Sequence, residues 1–211
     1  EAGIDASRIV VISGPNLAAE IAAEQPAASV AASASLDSAK LVASASSNSY
    51  FTTFTNTDVI GTEFGGILKN LIAVAIGIVN GVGYGQNTKA SIMTRGVSEI
   101  SRFAVAFGAK PKTMVGLAGL GDLIATSESP LSRNHKAGEM LGKGYSKREV
   151  LARLSQTAEG LASVSTILEL ARAKGISMPI VEQVELVIEG KMSPKDIAPH
   201  LTHETEEPQG E

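Results

Sequence analysis

"GGILKNLIAVAIGIVNG" (Gly65–Gly81) is the stretch on which the fold of this 211-residue chain turns. It is apolar and reads as a helix over Ile67–Val79, yet Lys69 and Asn70 sit near its head. An ammonium in such a run must reach water, meet a counter-charge, or sit where its proton has a use. On a helix, Ala73 and Ile76 share its face, and Asn80 lies about three turns further along nearly the same line. By itself the stretch favours a lysine at a helix start, its stem packed and its head wet. Two considerations weigh against that. A cation in the first turn faces the unfavourable end of the helix dipole. Apolar surroundings also loosen an ammonium's hold on its proton, which suits general acid–base work.

Upstream of this helix the pattern is α/β. "RIVVI" (Arg8–Ile12) is a short β-branched run that predicts a buried strand, and "SGPN" follows as a turn. "LAAEIAAE" (Leu17–Glu24) predicts a helix that Pro26 ends. "AASVAAS" predicts a second strand, "LDSAKLVASAS" a second helix with Asp37 near its start, and "YFTTFTN" (Tyr50–Asn56) a third strand. This alternation is that of a sheet with helical crossovers.

After Asp58 the chain turns helical. In "NTKASIMTRGVSEISRFAVAFGA", Met93, Val97, Ile100, Ala104 and Phe107 recur at helical spacing, while Arg95, Glu99 and Arg102 share another face and read as a solvated ion-pair surface. A glycine-rich interhelical loop follows. Further helices are expected around Arg148–Leu154, Glu159–Lys174 (capped by Gly175), Pro179–Glu189 and Pro194–Leu201. The fold class is therefore mostly α, an all-helical domain preceded by an α/β portion. The expected division is residues 1–58, residues 59–200 and an acidic, frayed tail over 201–211.

Composition narrows the function. With 44% hydrophobic and 19% charged residues the chain builds an ordinary core, and a net charge of −4 leaves no basic footprint for nucleic acid. There is no cysteine, hence no disulfide, thiolate metal site or Cys nucleophile, which fits a cytoplasmic location. His135, His200 and His203 lack metal-ligand spacing, so no metal is expected. The longest apolar run, Leu71–Val79, is shorter than the ~20 residues of a membrane span, so no transmembrane segment is expected.

The candidate chemistry lies in short stretches. In "GLAGLGDLIATSESPLSRN" (Gly116–Asn134), three glycines lead into Asp122, and Ser132, Arg133 and Asn134 set a hydroxyl, a guanidinium and an amide side by side. Such a trio suits phosphate oxygens, although a capping Asp, a helix N-cap and a surface arginine explain the same residues locally. "SGPN" (Ser13–Asn16) opens a helix whose free amides suit an anion, with capping by Asn16 as the local alternative. Neither "GVGYG" nor "GEMLGKG" completes a nucleotide fingerprint.

Taken in order, "ISGPNLAAEIA", "NTDVIGTEFGGILKNLIAVAIGIVNGVGYGQNTKASIMTRGVSEISR", "GLAGLGDL", "SPLSRN", "AEG" and "MPIVEQV" resemble bacterial NAD(P)-dependent glycerol-3-phosphate dehydrogenases over roughly Val10 to Lys195. The resemblance implies that residues 1–58 are the last α/β portion of a Rossmann domain and residues 59–200 a helical substrate domain. It implies Lys69 as proton donor and acceptor at the substrate oxygen, with Asn70 and Asp122 beside it. It further implies Gly14, Asn16, Ser132, Arg133 and Asn134 as substrate contacts, and Ala18, Arg133, Thr157 and Glu159 as contacts to NAD or NADP. The substrate pair is dihydroxyacetone phosphate and sn-glycerol 3-phosphate, and the assembly a homodimer. Asn16 stands where the family often has Thr or Ser, "ATSESP" replaces "TCTSP", and the closing tail departs from the family ending. The family's G-x-G-x-x-G and a further substrate lysine have no counterpart here, so this polypeptide alone is expected to show no turnover. Two other readings are a non-catalytic helical dimerisation module and a related hydroxyacid or phosphogluconate-type dehydrogenase. The phosphate trio and "GLAGLGDL" speak against the last.

Overall fold

The computed structural model describes residues 3–154 and 158–198. They form two compact units: one comprises the chain up to Lys69 with Ala104–Ala125, the other Asn70–Phe103 with the chain from Thr126 onward. The architecture is mostly helical with one small sheet, as the sequence implies.

In the first unit, strands β1 (Val11–Ser13), β2 (Ala27–Ala32) and β3 (Phe51–Asn56) form a sheet in the order β1-β2-β3. Helix α1 (Ala18–Ala22) links the first pair and α2 (Leu36–Ser46) the second. β2 and β3 run parallel, with Val30 opposite Phe54, so α2 is the expected crossover. β1 and β2 instead run antiparallel. β1 is also shorter than expected and not buried: Arg8 belongs to a 3-10 turn over Ala6–Arg8 in which Asp5 accepts the Ser7 N–H, and Ile9 and Ile12 are about half exposed. The weakest strand in the sequence, β2, is the central one. Its small side chains allow close neighbours, with Ser29, Ala31 and Ala32 fully buried. The Ser29 and Ser33 hydroxyls donate to the carbonyls of Ser13 and Ile9, tying the β1 segment alongside.

Helix α3 spans Val59–Val82, a full two turns longer at its start than expected. Asp58 launches it: one carboxylate oxygen accepts the Gly61 N–H at 2.9 Å and the other the Lys110 N–H at 2.8 Å. Burial opposes ionisation of Asp58, but bonds from Thr113, Gly61 and Lys110 outweigh it and hold its pKa below the usual carboxylate value. Lys69 therefore sits mid-helix, and the dipole argument against it falls away. By length and composition α3 also qualifies as a membrane span, with mean hydropathy 1.6 over its most apolar window, but 67% of that window is buried inside the protein.

The glycine-rich stretch is not a loop. After α4 (Gln86–Ala106) come α5 (Pro111–Met114), a π-helical turn over Leu117–Gly121, and α6 (Asp122–Glu128). The Gly121 N–H reaches back to the Gly116 carbonyl at 3.0 Å, closing the wide turn.

The second unit holds the later part of α3, most of α4, and α7 (Arg133–Gly142), α8 (Lys147–Arg153), α9 (Glu159–Ala173) and α10 (Pro179–Ile188). α3 meets α7 through glycines on both sides. A Cβ on Gly77 or Gly81 would strike the carbonyls of His135 or Glu139, and one on Gly138 or Gly142 those of Val74 or Ile78. Gly175, at φ +67°, ends α9 as expected, and the Ile176 N–H closes onto Ala171. The stretch from Pro194 opens with a 3-10 turn to Asp196 and continues helical through Ile197 and Ala198; Leu201 and the acidic tail lie outside the described residues.

Glu99 overturns the expected solvated face. It is 1% exposed, and its two oxygens accept the N–H groups of Ile180 (2.9 Å) and Val181 (3.0 Å) in the first turn of α10. α10 opens on Met178-Pro179 with no capping side chain of its own, so a carboxylate from α4 takes that part. Burial pushes the Glu99 pKa up to about 7 against these two bonds and the nearby Arg102 charge, with Glu182 adding to the rise.

Candidate active site

Gly65 and Lys69 lie four residues apart on one face of α3. A Cβ on Gly65 would strike the Ala118 carbonyl, so the π-turn lies directly against the helix there. Gly119 allows the turn to close on Met114 in the same way. One turn beyond the contact on each element stand Lys69 and Asp122. Their side chains meet at 2.6 Å, Nζ to Oδ1, at 17% and 8% exposure. The lysine is neither wet nor alone. With one N–H on the carboxylate, the ammonium has further protons to donate.

Gly14 and Asn16 belong to the same unit. Gly14 is buried at φ +140°, where a Cβ would press on the Ser29 backbone at 3.1 Å, so its glycine has a structural reason at the end of β1. Asn16 is exposed and does not cap α1, whose N-cap position is Leu17. Ala18 is the exposed first residue of α1.

The second unit gathers the other candidates. Asn70 and Asn134 are each 7% exposed, and the Asn134 Nδ2 donates to Asn70 Oδ1 at 2.9 Å. Asn134 Oδ1 accepts the Gly160 N–H at 2.8 Å, joining α7 to the start of α9. Ser132 is the N-cap of α7, accepting the His135 N–H at 3.2 Å, which is the local explanation its sequence offered. The oxygen is thereby used as acceptor while its proton stays available to donate. Arg133 is 45% exposed and lies 3.7 Å from the Glu159 carboxylate, itself 64% exposed, a pair that contributes little stability. Thr157 lies outside the described residues. Among the described residues no group of three or more His, Cys, Asp or Glu side chains is placed to hold a metal.

The sequence reading marked Gly119 among the glycines leading into Asp122 but missed Gly65 and Gly160. Each allows a backbone approach that a Cβ forbids, and the only hint was a glycine one turn before a polar candidate or directly after one.

A family model described as "NAD-dependent glycerol-3-phosphate dehydrogenase C-terminus" matches residues 58–199, and its N-terminal counterpart matches residues 1–39. A glycerol-3-phosphate dehydrogenase [NAD(P)+] of Leifsonia xyli is 65% identical over 208 residues, covering 99% of this chain and 56% of its own length. One from Frankia casuarinae is 51% identical, covering 94% of this chain and 59% of its own. A crystal structure of glycerol-3-phosphate dehydrogenase from Coxiella burnetii superposes with a TM-score of 0.87 at 37% identity, over 92% of this chain and 60% of that one. The chain thus spans somewhat over half the length of these relatives. On the strength of the match over residues 58–199, the chain belongs to the NAD-dependent glycerol-3-phosphate dehydrogenase family.

Proposed function

We propose that this chain carries the proton-transferring and phosphate-holding residues of an NAD(P)-dependent glycerol-3-phosphate dehydrogenase, interconverting dihydroxyacetone phosphate and sn-glycerol 3-phosphate. The observation that carries the reading is the Lys69–Asp122 pair, an amine oriented by a carboxylate in a largely buried position. In the reducing direction, Lys69 gives a proton to the C2 carbonyl oxygen as the C2 carbon is reduced. In the oxidising direction the neutral amine takes the hydroxyl proton back. Asp122 holds the amine through both steps, as an orienting partner should.

The phosphate falls to Ser132, Arg133 and the Asn70–Asn134 pair, which offer a hydroxyl proton, a half-exposed guanidinium and amide donors. Gly14 and Asn16 are proposed as further substrate contacts. The exposed Arg133 and Glu159 fit the polar parts of a nicotinamide dinucleotide, with Ala18 and Thr157 as the remaining proposed contacts. When bound, the cofactor supplies or accepts the hydride at C2. A homodimer and a cytoplasmic location belong to the same proposal.

Replacing Lys69 by Ala in the complete gene product tests the reading. Turnover of dihydroxyacetone phosphate, followed by NADH oxidation, is expected to fall about 10²- to 10⁴-fold, the range for loss of a general acid–base. The melting profile should stay close to that of the parent. Turnover within threefold of the parent would remove Lys69 from the chemistry.

A further inference from the structure

We propose that Asp58 is a positioning residue for proton transfer: its carboxylate straps the start of α3 to the start of α5 and so holds the Lys69 amine in register with Asp122. The inference rests on the reading of Lys69 and Asp122 as the proton-transferring pair and deepens it.

Asp58 stands roughly 16 Å from Lys69 along the helix axis, at about 1.5 Å per residue. It is 5% exposed, and a buried carboxylate must find partners for its oxygens. Those partners come from two different elements. Oδ1 accepts the Gly61 N–H at 2.9 Å, the ordinary N-cap bond to the third residue of a helix. Oδ2 accepts the Lys110 N–H at 2.8 Å, at the N-cap position of α5, whose own side chain caps nothing. In a capping box that N–H is held from within the same helix, by the side chain three residues on. Here the residue three on is Thr113, whose hydroxyl turns to Asp58 and accepts from Asn56 Nδ2 at 3.3 Å. One carboxylate thus begins both helices. Capping of α3 accounts for Oδ1 and leaves the bond to Lys110 unexplained.

The paths of the two segments explain it. Gly61, Gly65 and Lys69 recur every four residues and share one face of α3. Gly61 meets Asp58 and Thr113, Gly65 meets the Ala118 carbonyl, and Lys69 meets the Asp122 carboxylate. These contacts climb the α5-to-α6 segment in the same order, like rungs of a ladder. Both uprights are hydrogen-bonded throughout. One is continuous α-helix. In the other, the Gly116 N–H bonds to the Thr113 carbonyl at 3.1 Å and the Gly121 N–H to that of Gly116 at 3.0 Å. The Asp122 N–H then bonds to the carbonyls of Leu117 and Gly119. No loose segment lies between to absorb a shift at the first rung, so it is carried to the last. Gly61 leaves room for the strap, because a Cβ there would strike Asp58 Oδ2, the oxygen that holds Lys110.

Two variants of the complete gene product separate strap from cap. Asp58→Ser keeps a hydroxyl acceptor for Gly61 but is too short to hold Lys110 as well. Asp58→Asn keeps one oxygen for Gly61 and turns an NH2 toward the Lys110 N–H, donor against donor. Both Ser and Asn are good N-caps, so both variants should stay folded. Well below the melting transition, each is expected to lower kcat for dihydroxyacetone phosphate about 10- to 100-fold, the cost of misplacing an acid–base group by about 1 Å. KM, and Kd for sn-glycerol 3-phosphate, should stay within threefold, since the proposed phosphate donors belong to the second unit. A merely structural role would lower the amount of folded enzyme and leave kcat per folded molecule unchanged, which would overturn the strap. Lys69→Ala serves as the control. If it loses turnover while both Asp58 variants keep kcat within threefold of the parent, the strap fails and the pair stands. If it too keeps turnover, the reading beneath the proposal fails. Should the Asp58 variants not fold, Gly61→Ala decides: it retains the carboxylate and adds helix propensity, yet pushes Oδ2 off Lys110. The same fall in kcat at constant KM supports the strap, and a parental kcat overturns it.

Discussion

Lys69 and Glu99 are both charged groups in helices that the local pattern favours as wet, and both are instead largely buried against a partner. Lys69 was legible as a residue out of place, but its partner is 53 positions away and comes within 2.6 Å only because Gly65 and the π-turn close on each other. Glu99 was read as part of a wet ion-pair face because Arg95 and Arg102 flank it at helical spacing. What buries it is α10, whose first turn needs acceptors that no local pattern announces. Its pH behaviour follows from the raised pKa. The unfolded chain loses this proton near 4.5 and the folded protein near 7, so between those values the folded state binds more protons. The contribution to stability is therefore fully present below pH 4.5 and is lost as pH rises to about 7, by at most about 3 kcal/mol. Glu99→Gln removes that titration and replaces one of the two acceptors by a donor facing an N–H. It should cost about 1–3 kcal/mol near neutral pH. The stability difference between parent and variant, from urea unfolding across pH 4 to 8, should therefore be pH-dependent in this window; a constant difference would count against the shift.

At the level of elements, the long helices, the parallel β2–β3 pair and the N-cap at Ser132 could all be read from periodicity and composition. The failures share a cause. β1 pairs antiparallel because of the turn at Gly14 and the serine hydroxyls of β2, which are tertiary contacts rather than periodicities. The π-turn at Leu117–Gly121 looked like a loop because glycines are poor helix formers, yet here they let backbones touch. The same rule explains the glycines of Gly65–Gly81. Gly77 and Gly81 on α3 face Gly138 and Gly142 on α7, each filling the space a Cβ would take. In an exposed helix Gly→Ala would stabilise by roughly 1 kcal/mol. At Gly138 the added methyl meets the Val74 carbonyl, which as helix backbone cannot move aside, so the sign reverses. Gly138→Ala should destabilise by about 1–3 kcal/mol or more, as overpacking does, and lower the urea midpoint. A midpoint at or above that of the parent would show that the helices have room there.

Across the whole molecule, the residues proposed for catalysis are divided between two compact units, and the first of the chain's three crossings between them is the Lys69–Asn70 peptide bond inside α3. Proton transfer and phosphate holding are then separable by experiment. The net charge is −4, so no general positive field gathers phosphate esters, and any affinity must come from local donors such as Arg133 and Asn70. A ligand that binds only the folded state raises stability by RT ln(1 + [L]/Kd), about 2.7 kcal/mol at a hundredfold excess over Kd. For a protein of this size that corresponds to a rise in melting temperature of about 5–10 °C, and for a longer one to proportionally less. The complete gene product should show such a rise with sn-glycerol 3-phosphate and none with glycerol at the same concentration, because the missing phosphate is what the donors recognise. Arg133→Ala should abolish the rise, whereas Lys69→Ala should retain most of it while abolishing turnover. Added salt should shrink the shift, since the Arg133 guanidinium is 45% exposed and open to screening. Equal shifts with glycerol and its phosphate, or a full shift in the Arg133 variant, would mean that these donors are not the phosphate clamp and that the ligand is held by other groups.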